Sequence, residues 1–424
     1  MSHAQPESRP QTEPMFPVRT VVVGAFIPAL FFEIGVGAML PLIPVSARQL
    51  GASLALAGFV AALLPLGKIL ANIPAGVLAA RLGDRGAMLV AGVLAALAFA
   101  GAALAPVLPI LALCVVAVGA ASSVFYLARQ SYLTEITPPL RRARVLATLG
   151  GVHRIGLFIG PFVGAFVVHG SSVRAAYWLA SGTAVLAIAV LAVSENPRAQ
   201  RTQRPRLRQR IGKRQSVVGP SMRDVFAENR KLFATLGVAV VMVGATRGAR
   251  QTVLPLWMEH LGFDPAVISI IFGIAGGLDM MLFYPAGKVM DQRGRLWIGL
   301  PSMIVMSAAM AVLPFAHTVT SVTSVAIALG LGNGMSAGIL MTLGSDVAPP
   351  EGRATFLGVW RLFQDSGDAA GPLVLSAGAG LGSLAVGIWV MAAVGACSAG
   401  ALWRWVPRWS VHANRTTRRR AGLG

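Results

Sequence analysis

Nine ionisable side chains lie inside long apolar runs: Glu33, Lys68, Arg154, Arg247, Arg250, Asp279, Arg361, Asp365 and Asp368. A charge near the middle of a hydrocarbon layer costs at least about 2.5 kcal/mol on insertion scales, so each one retained there points by default to a proton carrier, a substrate contact or an ion pair. Spacing narrows the chemistry. Arg361 and Asp365 are four residues apart and can pair along one helical face. Arg247 and Arg250 share a face, where like charges repel unless a carboxylate or an anion lies between them. Glu33 and Asp279 are the natural candidates for that carboxylate. Eight of the nine (Glu33, Lys68, Arg247, Arg250, Asp279, Arg361, Asp365 and Asp368) form the expected substrate- or proton-coupling set. The alternative is ion pairing that only holds helices together. His153, beside Arg154, is of the residue type that titrates near neutral pH, and it ranks below the carboxylates.

Other chemistries find no support. There is no Gly-rich phosphate loop carrying Lys and Ser or Thr, which argues against an ATP-driven pump, and no His or Cys cluster has metal-ligand spacing. Cys114 and Cys397 sit in apolar runs without a CxxC or His partner and read as buried free thiols. Neither enzyme activity nor a metal or other cofactor is expected.

Composition sets the elements that must hold these charges. Hydrophobic residues make up 55% of the chain, charged residues 12%, and mean hydropathy is +0.69, too apolar for a soluble domain. Runs such as Met88 to Leu113 and Ala175 to Val193 are long enough, at about 20 residues and ~1.5 Å rise per residue, to cross a ~30 Å hydrocarbon core as helices. The alternating pattern of a membrane barrel is absent. Apolar runs and their polar breaks predict an all-α membrane protein of twelve spans. The first six are about 18–45, 53–80, 87–106, 109–133, 143–169 and 173–194. The second six are about 231–258, 265–290, 296–316, 319–345, 353–380 and 382–404.

The units are then a tail 1–17, a six-helix bundle 18–194, a basic linker 195–230, a second bundle 231–405 and a basic tail 406–424. The first span is too long for a signal-peptide core and is expected to stay. Net charge is +20, but the cations collect in alternate loops, the signature of membrane orientation rather than of a nucleic-acid partner. Arg198 to Arg214 in the linker, Arg81, Arg85, Arg141 to Arg144, Lys288 to Arg295 and Arg415 to Arg420 share one side, so both termini and the linker are expected in the cytoplasm. Spans 3, 6, 9 and 12 carry no interior charge and are expected to face lipid, with the others around an aqueous cavity; span 4 has only Arg129, near its cytoplasmic end.

A fixed step of 211 residues runs through the chain. It carries Gly76 onto Gly287, Leu50-Gly51 onto Leu261-Gly262, Glu135 onto Asp346, Arg142 onto Arg353 and Gly160-Pro161 onto Gly371-Pro372. The bundles are therefore two copies of one unit. Lys68 and Asp279 are also 211 apart, and are expected to face one another across a central cavity.

Around these landmarks the chain resembles the major facilitator superfamily. That family carries Gly-x-Leu-Ala-Asp-Arg-x-Gly-Arg-Arg after helix 2 and a weaker copy after helix 8. Gly76, Leu78, Ala79, Arg81, Gly83 and Arg85 match the first, and Gly287, Asp291, Gly294 and Arg295 the second. The resemblance implies a cytoplasmic gate at Gly76, Arg81, Gly83, Asp84, Arg85, Gly287, Asp291, Gly294 and Arg295. Ala80 stands where the first copy has its acid, so that lock is weaker or uses Asp84 instead, and the second-half lock, on Asp291, should be the stronger. Gly156, Gly160, Pro161 and Gly164 are similar to the family's antiporter motif, and Gly367, Gly371 and Pro372 repeat most of it; these residues are expected to pack and bend their helices. Val115 replaces the antiporters' arginine four residues before Gly119, so coupling through that arginine does not carry over. The resemblance implies a monomeric plasma-membrane transporter working by alternating access, with proton-coupled export of hydrophobic or amphipathic small molecules as the leading expectation. Proton-linked import of a polar or anionic metabolite is the second, and a non-transporting receptor or assembly factor the third.

Overall fold

The computed structural model describes residues 18–138, 141–194, 222–336 and 338–422. The N-terminal tail and the linker's arginine run lie outside the described residues. Among the described residues every regular element is helical. The long helices are α1 (Arg19–Gln49), α2 (54–82), α3 (84–104), α4 (Leu108–Ile136), α5 (Arg142–His169) and α6 (Val173–Val193) in the first half. The second half has α7 (Arg230–His260), α8 (Pro265–Arg293), α9 (Leu296–Phe315), α10 (Val319–Ser336 continued by Ile339–Val347), α11 (Arg353–Leu381) and α12 (Leu384–Trp409). Observed ends lie within five residues of the expected ones.

Eleven helices among the described residues are long and apolar enough to cross a membrane. The other, α11, is equally long at 29 residues but gathers Arg361, Asp365 and Asp368 within two turns. Those charges dilute its apolar character because α11 serves the interface between the halves.

The repeat is written into the backbone. Positive φ occurs at Gly51 (84°) and Gly262 (74°), which close the α1–α2 and α7–α8 turns, and at Gly83 (73°) and Gly294 (104°), which separate α2 from α3 and α8 from α9. Only glycine takes that conformation without a Cβ penalty, so these four turns of the repeat are each built on a glycine. Single π-helical turns, Val22–Phe26 in α1 and Phe233–Gly237 in α7, also match under the 211 step. Ser181 Oγ of α6 donates to Ala96 O of α3 at 3.0 Å, and Ser307 Oγ of α9 donates to Ala392 O of α12 at 2.5 Å. These are equivalent positions with donor and acceptor exchanged.

Helices α3, α6, α9 and α12, whose interiors carry no charge, turn large apolar side chains outward, among them Leu97, Trp178, Ile304 and Trp403. Cys397 also faces outward and Cys114 is half-buried, so neither is the fully buried thiol the sequence suggested; each lies on a helix face that needs apolar character for lipid or a helix neighbour. Within each half, glycines set the closest approach. A Cβ on Gly160 would stand 2.5 Å from Ile34 O and one on Gly164 3.2 Å from Ala38 O, placing α5 against α1. Gly367 and Gly371 meet the backbone of α7 in the same way, at Val241 and Ala245. Such contact lets backbones associate without a hydrophobic driving force.

The end of the linker and the C-terminal tail both make contacts with the bundles. The short helix Met222–Glu228 at the end of the linker stacks Phe226 on Phe233 of α7, with centroids 5.5 Å apart. After α12 the chain docks on the α8–α9 turn: Arg295 N and Leu296 N donate to His412 O and Ala413 O, and Arg418 Nη1 donates to Asp291 O at 2.8 Å.

Candidate functional site

The two halves meet along two seams, α5 against α8 and α2 against α11. The site sits on both. Lys68 is the middle residue of α2, Asp279 the middle residue of α8, and Arg154 and Asp368 lie within two residues of the midpoints of α5 and α11. At about 1.5 Å per residue the charges share one level, halfway along their helices.

On the first seam Arg154 Nη1 is 3.0 Å from Asp279 Oδ1, and its guanidinium lies 4.2 Å over the Phe283 ring. Asp279 Oδ2 also faces Arg250 Nη1 at 3.6 Å and accepts from Asn333 Nδ2 at 2.7 Å, while Asn333 Oδ1 accepts from Arg247 Nε at 3.1 Å. Asp279 is thus the carboxylate between Arg247 and Arg250, directly for one and through Asn333 for the other. Glu33 is not. Asn333 carries no charge, and only its position on α10, across from α8, marks it.

On the second seam Asn72 Nδ2 donates to Asp365 Oδ2 at 3.0 Å, and Asn72 Oδ1 accepts from Ser123 Oγ at 2.6 Å. Arg361 Nε lies 3.9 Å from Asp365, the pairing expected from their spacing. Lys68, Asp365 and Asp368 line a cleft with Leu64, Gln251 and Pro372, partly open to solvent, with a water-accessible volume of about 80 Å³.

The two seams are one arrangement with its charges exchanged. The 211 step carries Arg154 onto Asp365, Lys68 onto Asp279 and Asn72 onto Phe283. In each seam the helix-midpoint residue and the one a turn later flank a residue of opposite charge from the other half. This corrects the expectation that Lys68 faces Asp279. The pseudo-two-fold brings α2 to α11 and α8 to α5, so Asp279 meets Arg154, and Lys68 shares its cleft with Asp365 and Asp368.

Glu33 belongs to a third cluster. Its Oε1 lies 2.8 Å from His153 Nδ1 and 3.5 Å from Arg129 Nη1. Arg129 is fully buried, its guanidinium 5.3 Å from the Tyr126 ring and 5.8 Å from that of Phe125, which stacks on Phe32 at 4.4 Å. Arg361 lies over Tyr126 at 5.2 Å, so that ring stands between an arginine from each half. Sequence reading placed Arg129 at a helix end and undervalued His153. The available signal was Gly156: a Cβ there would stand 2.5 Å from Glu33 Cβ, so the residue one turn before it is delivered to the carboxylate.

At the Gly83–Gly294 end, Arg295 makes a two-pronged contact with Asp346, Nε to Oδ2 at 2.9 Å and Nη2 to Oδ1 at 3.1 Å, and Ser410 Oγ donates to the same carboxylate at 3.0 Å. Asp291, the acid expected to form this lock, is largely exposed and only 3.5 Å from Arg295. It lies one turn before Arg295 on the outer side of α8, whereas Asp346 comes from α10 and meets the guanidinium edge-on. In the first half Arg85 Nη2 donates to Leu191 O at 2.8 Å and Ala192 O at 3.0 Å, tying the α2–α3 turn to the end of α6, and Asp84 is buried. Arg81 is exposed. Gly76 and Gly287 face open space within 4 Å.

The contacts joining the halves continue toward the other end. Ser376 Oγ of α11 donates to Ala55 O of α2 at 2.6 Å, a Cβ on Gly58 would meet Leu256 of α7, and Phe158 and Phe162 of α5 fill the positions opposite Gly277 and Gly273 of α8.

Among the described residues no group of His, Cys, Asp and Glu is arranged to hold a metal. Residues 25–372 match the Major Facilitator Superfamily. The uncharacterized MFS-type transporter YhjO of Bacillus subtilis (strain 168) is 25% identical over 330 residues, covering 77% of this chain and 78% of that protein. The fold is similar to the crystal structure of a D-xylose–proton symporter, with TM-score 0.68 at 15% identity, covering 92% of this chain and 98% of that one. It is likewise similar to a POT family transporter crystallised with a thioalcohol-conjugated peptide, with TM-score 0.72 at 14% identity, covering 92% and 96%. An all-helical fold, eleven apolar membrane-length helices and a match across most of the chain make it a multi-pass integral membrane protein of the major facilitator superfamily, a transporter and not an enzyme.

Proposed function

We propose that the chain is a secondary active transporter of the plasma membrane that works by alternating access and exports amphipathic small molecules in exchange for protons. The observation that carries this reading is the pair of charge-exchanged seams at the midpoints of α2, α5, α8 and α11. Ionisable groups at that depth persist where they line a substrate or ion path, and transporter sites lie near the midplane at the interface between repeats. A charged interface can be broken and remade as two rigid halves rock, whereas a continuous apolar core would resist it.

Contacts between the halves gather at the Ser376 end, while Gly76 and Gly287 at the other end have open space beside them. Placing the basic Arg81, Arg85, Lys288 and Arg295 end in the cytoplasm makes this an inward-facing state. In the outward-facing state Gly76 and Gly287 would pack closely.

For coupling, Glu33 is the proton site. Protonation of Glu33, which lies against His153, removes the charge facing fully buried Arg129, and a buried cation that loses its partner drives rearrangement. The test uses purified protein in proteoliposomes with an imposed proton gradient. Cargo should move against the inward proton flow, and Glu33→Gln should lose gradient-driven flux while still inserting in the membrane. Cargo entering with protons would replace export by import, and wild-type flux in Glu33→Gln across pH 6 to 8 would remove Glu33 from the mechanism.

A further inference from the structure

We propose that the cargo is an amphipathic organic anion, seated where α2, α4 and α11 meet, with its carboxylate or sulfonate on Lys68 and Arg361 and its flat apolar body against Tyr126. The assignment rests on the transporter reading above and adds the chemical class.

Charge balance is the first support. The mid-membrane clusters hold six basic side chains (Lys68, Arg129, Arg154, Arg247, Arg250 and Arg361) against four carboxylates, Glu33, Asp279, Asp365 and Asp368. The surplus is two positive charges with His153 neutral, in a place where an unmatched charge is costly. An anion relieves the surplus and a cation increases it.

The second support is where the surplus sits. Asp279 is shared by Arg154 and Arg250, Glu33 is taken by Arg129 and His153, and Arg247 is held by Asn333. Lys68 is exposed in the cleft. The Arg361 side chain is 42% exposed, and its carboxylate neighbour 3.9 Å away already accepts from Asn72. Asp368 lines the same cleft as Lys68.

The third is the kind of hydrogen-bonding capacity left over. Arg129 Nε and Nη2 and Arg250 Nε are buried donors without an acceptor. Those atoms are sealed from the cleft; the exposed donors there, Lys68 and Arg361, also only donate, so the matching guest brings acceptor oxygens. The Tyr126 ring between Arg129 and Arg361 and the Phe283 ring under Arg154 supply flat apolar surface beside those donors.

The experiment measures binding to purified full-length protein by calorimetry at fixed ionic strength, with probes that share a naphthalene body: 2-naphthoate and naphthalene-2-sulfonate as anions, 2-naphthamide as the neutral form, and a naphthylmethyl-trimethylammonium as the cation. At least one anion should bind tenfold or more tighter than the amide and the cation. Lys68→Gln and Arg361→Gln should each weaken it at least fivefold, while Lys68→Arg and Arg361→Lys retain binding and report correct folding. Absence of anion binding, equal binding of amide or cation, or anion affinity indifferent to both Gln variants overturns the assignment. Counterflow of the bound anion in proteoliposomes keeps the two readings apart. Anion binding without flux would strike the transporter mechanism and leave the site, whereas flux of the cation alone would strike the anion assignment and leave the transporter.

Discussion

Removing the charges of Arg154 and Asp279 one at a time and together tests whether the first seam joins the halves. At 3.0 Å and an effective dielectric of about 20, the direct attraction is roughly 5.5 kcal/mol. Desolvation offsets much of it, and because the two side chains keep 20% and 16% exposure the coupling expected is about 2 kcal/mol, roughly 30-fold in an equilibrium. The singles should be unequal. Arg154→Gln leaves Asp279 with Arg250 and Asn333, whereas Asp279→Asn strands two guanidiniums at once. The assay is the rate at which a membrane-impermeant maleimide labels a cysteine at Ser376, in a background with Cys114 and Cys397 replaced. Ser376 hydrogen-bonds across the closed end, so opening exposes it. Asp279→Asn should raise labelling by more than tenfold, Arg154→Gln by a few-fold, and the double variant should be no worse than Asp279→Asn. Effects that add to within about 0.5 kcal/mol would show that the pair does not couple the halves.

Three further outcomes follow from the same geometry. Asp346→Ala should lower the melting temperature and slow transport far more than Asp291→Ala, because Asp346 holds Arg295 by two contacts and Ser410 by a third; equal effects would return the lock to Asp291. Gly160→Val and Gly371→Val should both lose folded protein in a detergent-solubility assay, since each forces a side chain into the backbone of a neighbouring helix, whereas Gly276→Val, with open space around it, should be tolerated; normal yield of both would refute the packing. Gly294→Ala should cost about 1 kcal/mol of backbone strain plus a collision with Ala413 O, against strain alone in Gly51→Ala, so heat should inactivate Gly294→Ala first in paired melting curves.

Much of the fold was legible because membrane helices announce themselves: a bilayer demands about 20 apolar residues per crossing, and that length places the ends within a turn or so. The duplication was legible for a different reason. A shared step of 211 residues survives in glycines and prolines, where backbone conformation admits few substitutes, and it reappears as paired positive-φ turns and paired π-helical turns. Which charges sit at mid-membrane could be read as well, since their cost makes them conspicuous.

Their partners could not. Arg129 looked like a helix-end residue because sequence position measures distance along α4 and says nothing of the Tyr126 ring and Glu33 beside it. Lys68 and Asp279 were paired by repeat position, yet a two-fold axis brings each to the other half's fifth helix instead of to its own equivalent. Asp291 was favoured over Asp346 because the motif names it, but the guanidinium of Arg295 goes to the acid that can meet it edge-on.

By itself, then, the sequence determined the class, the crossings, the repeat and the list of costly residues, all consequences of local composition against a fixed solvent thickness. Only the tertiary structure decided that Asp279 serves Arg154 and Arg250, that Glu33 serves Arg129 and His153, and that Lys68 and Arg361 stay exposed. Ion pairing depends on a few ångströms between helices far apart in the chain, and the packing of backbones at glycines sets those distances.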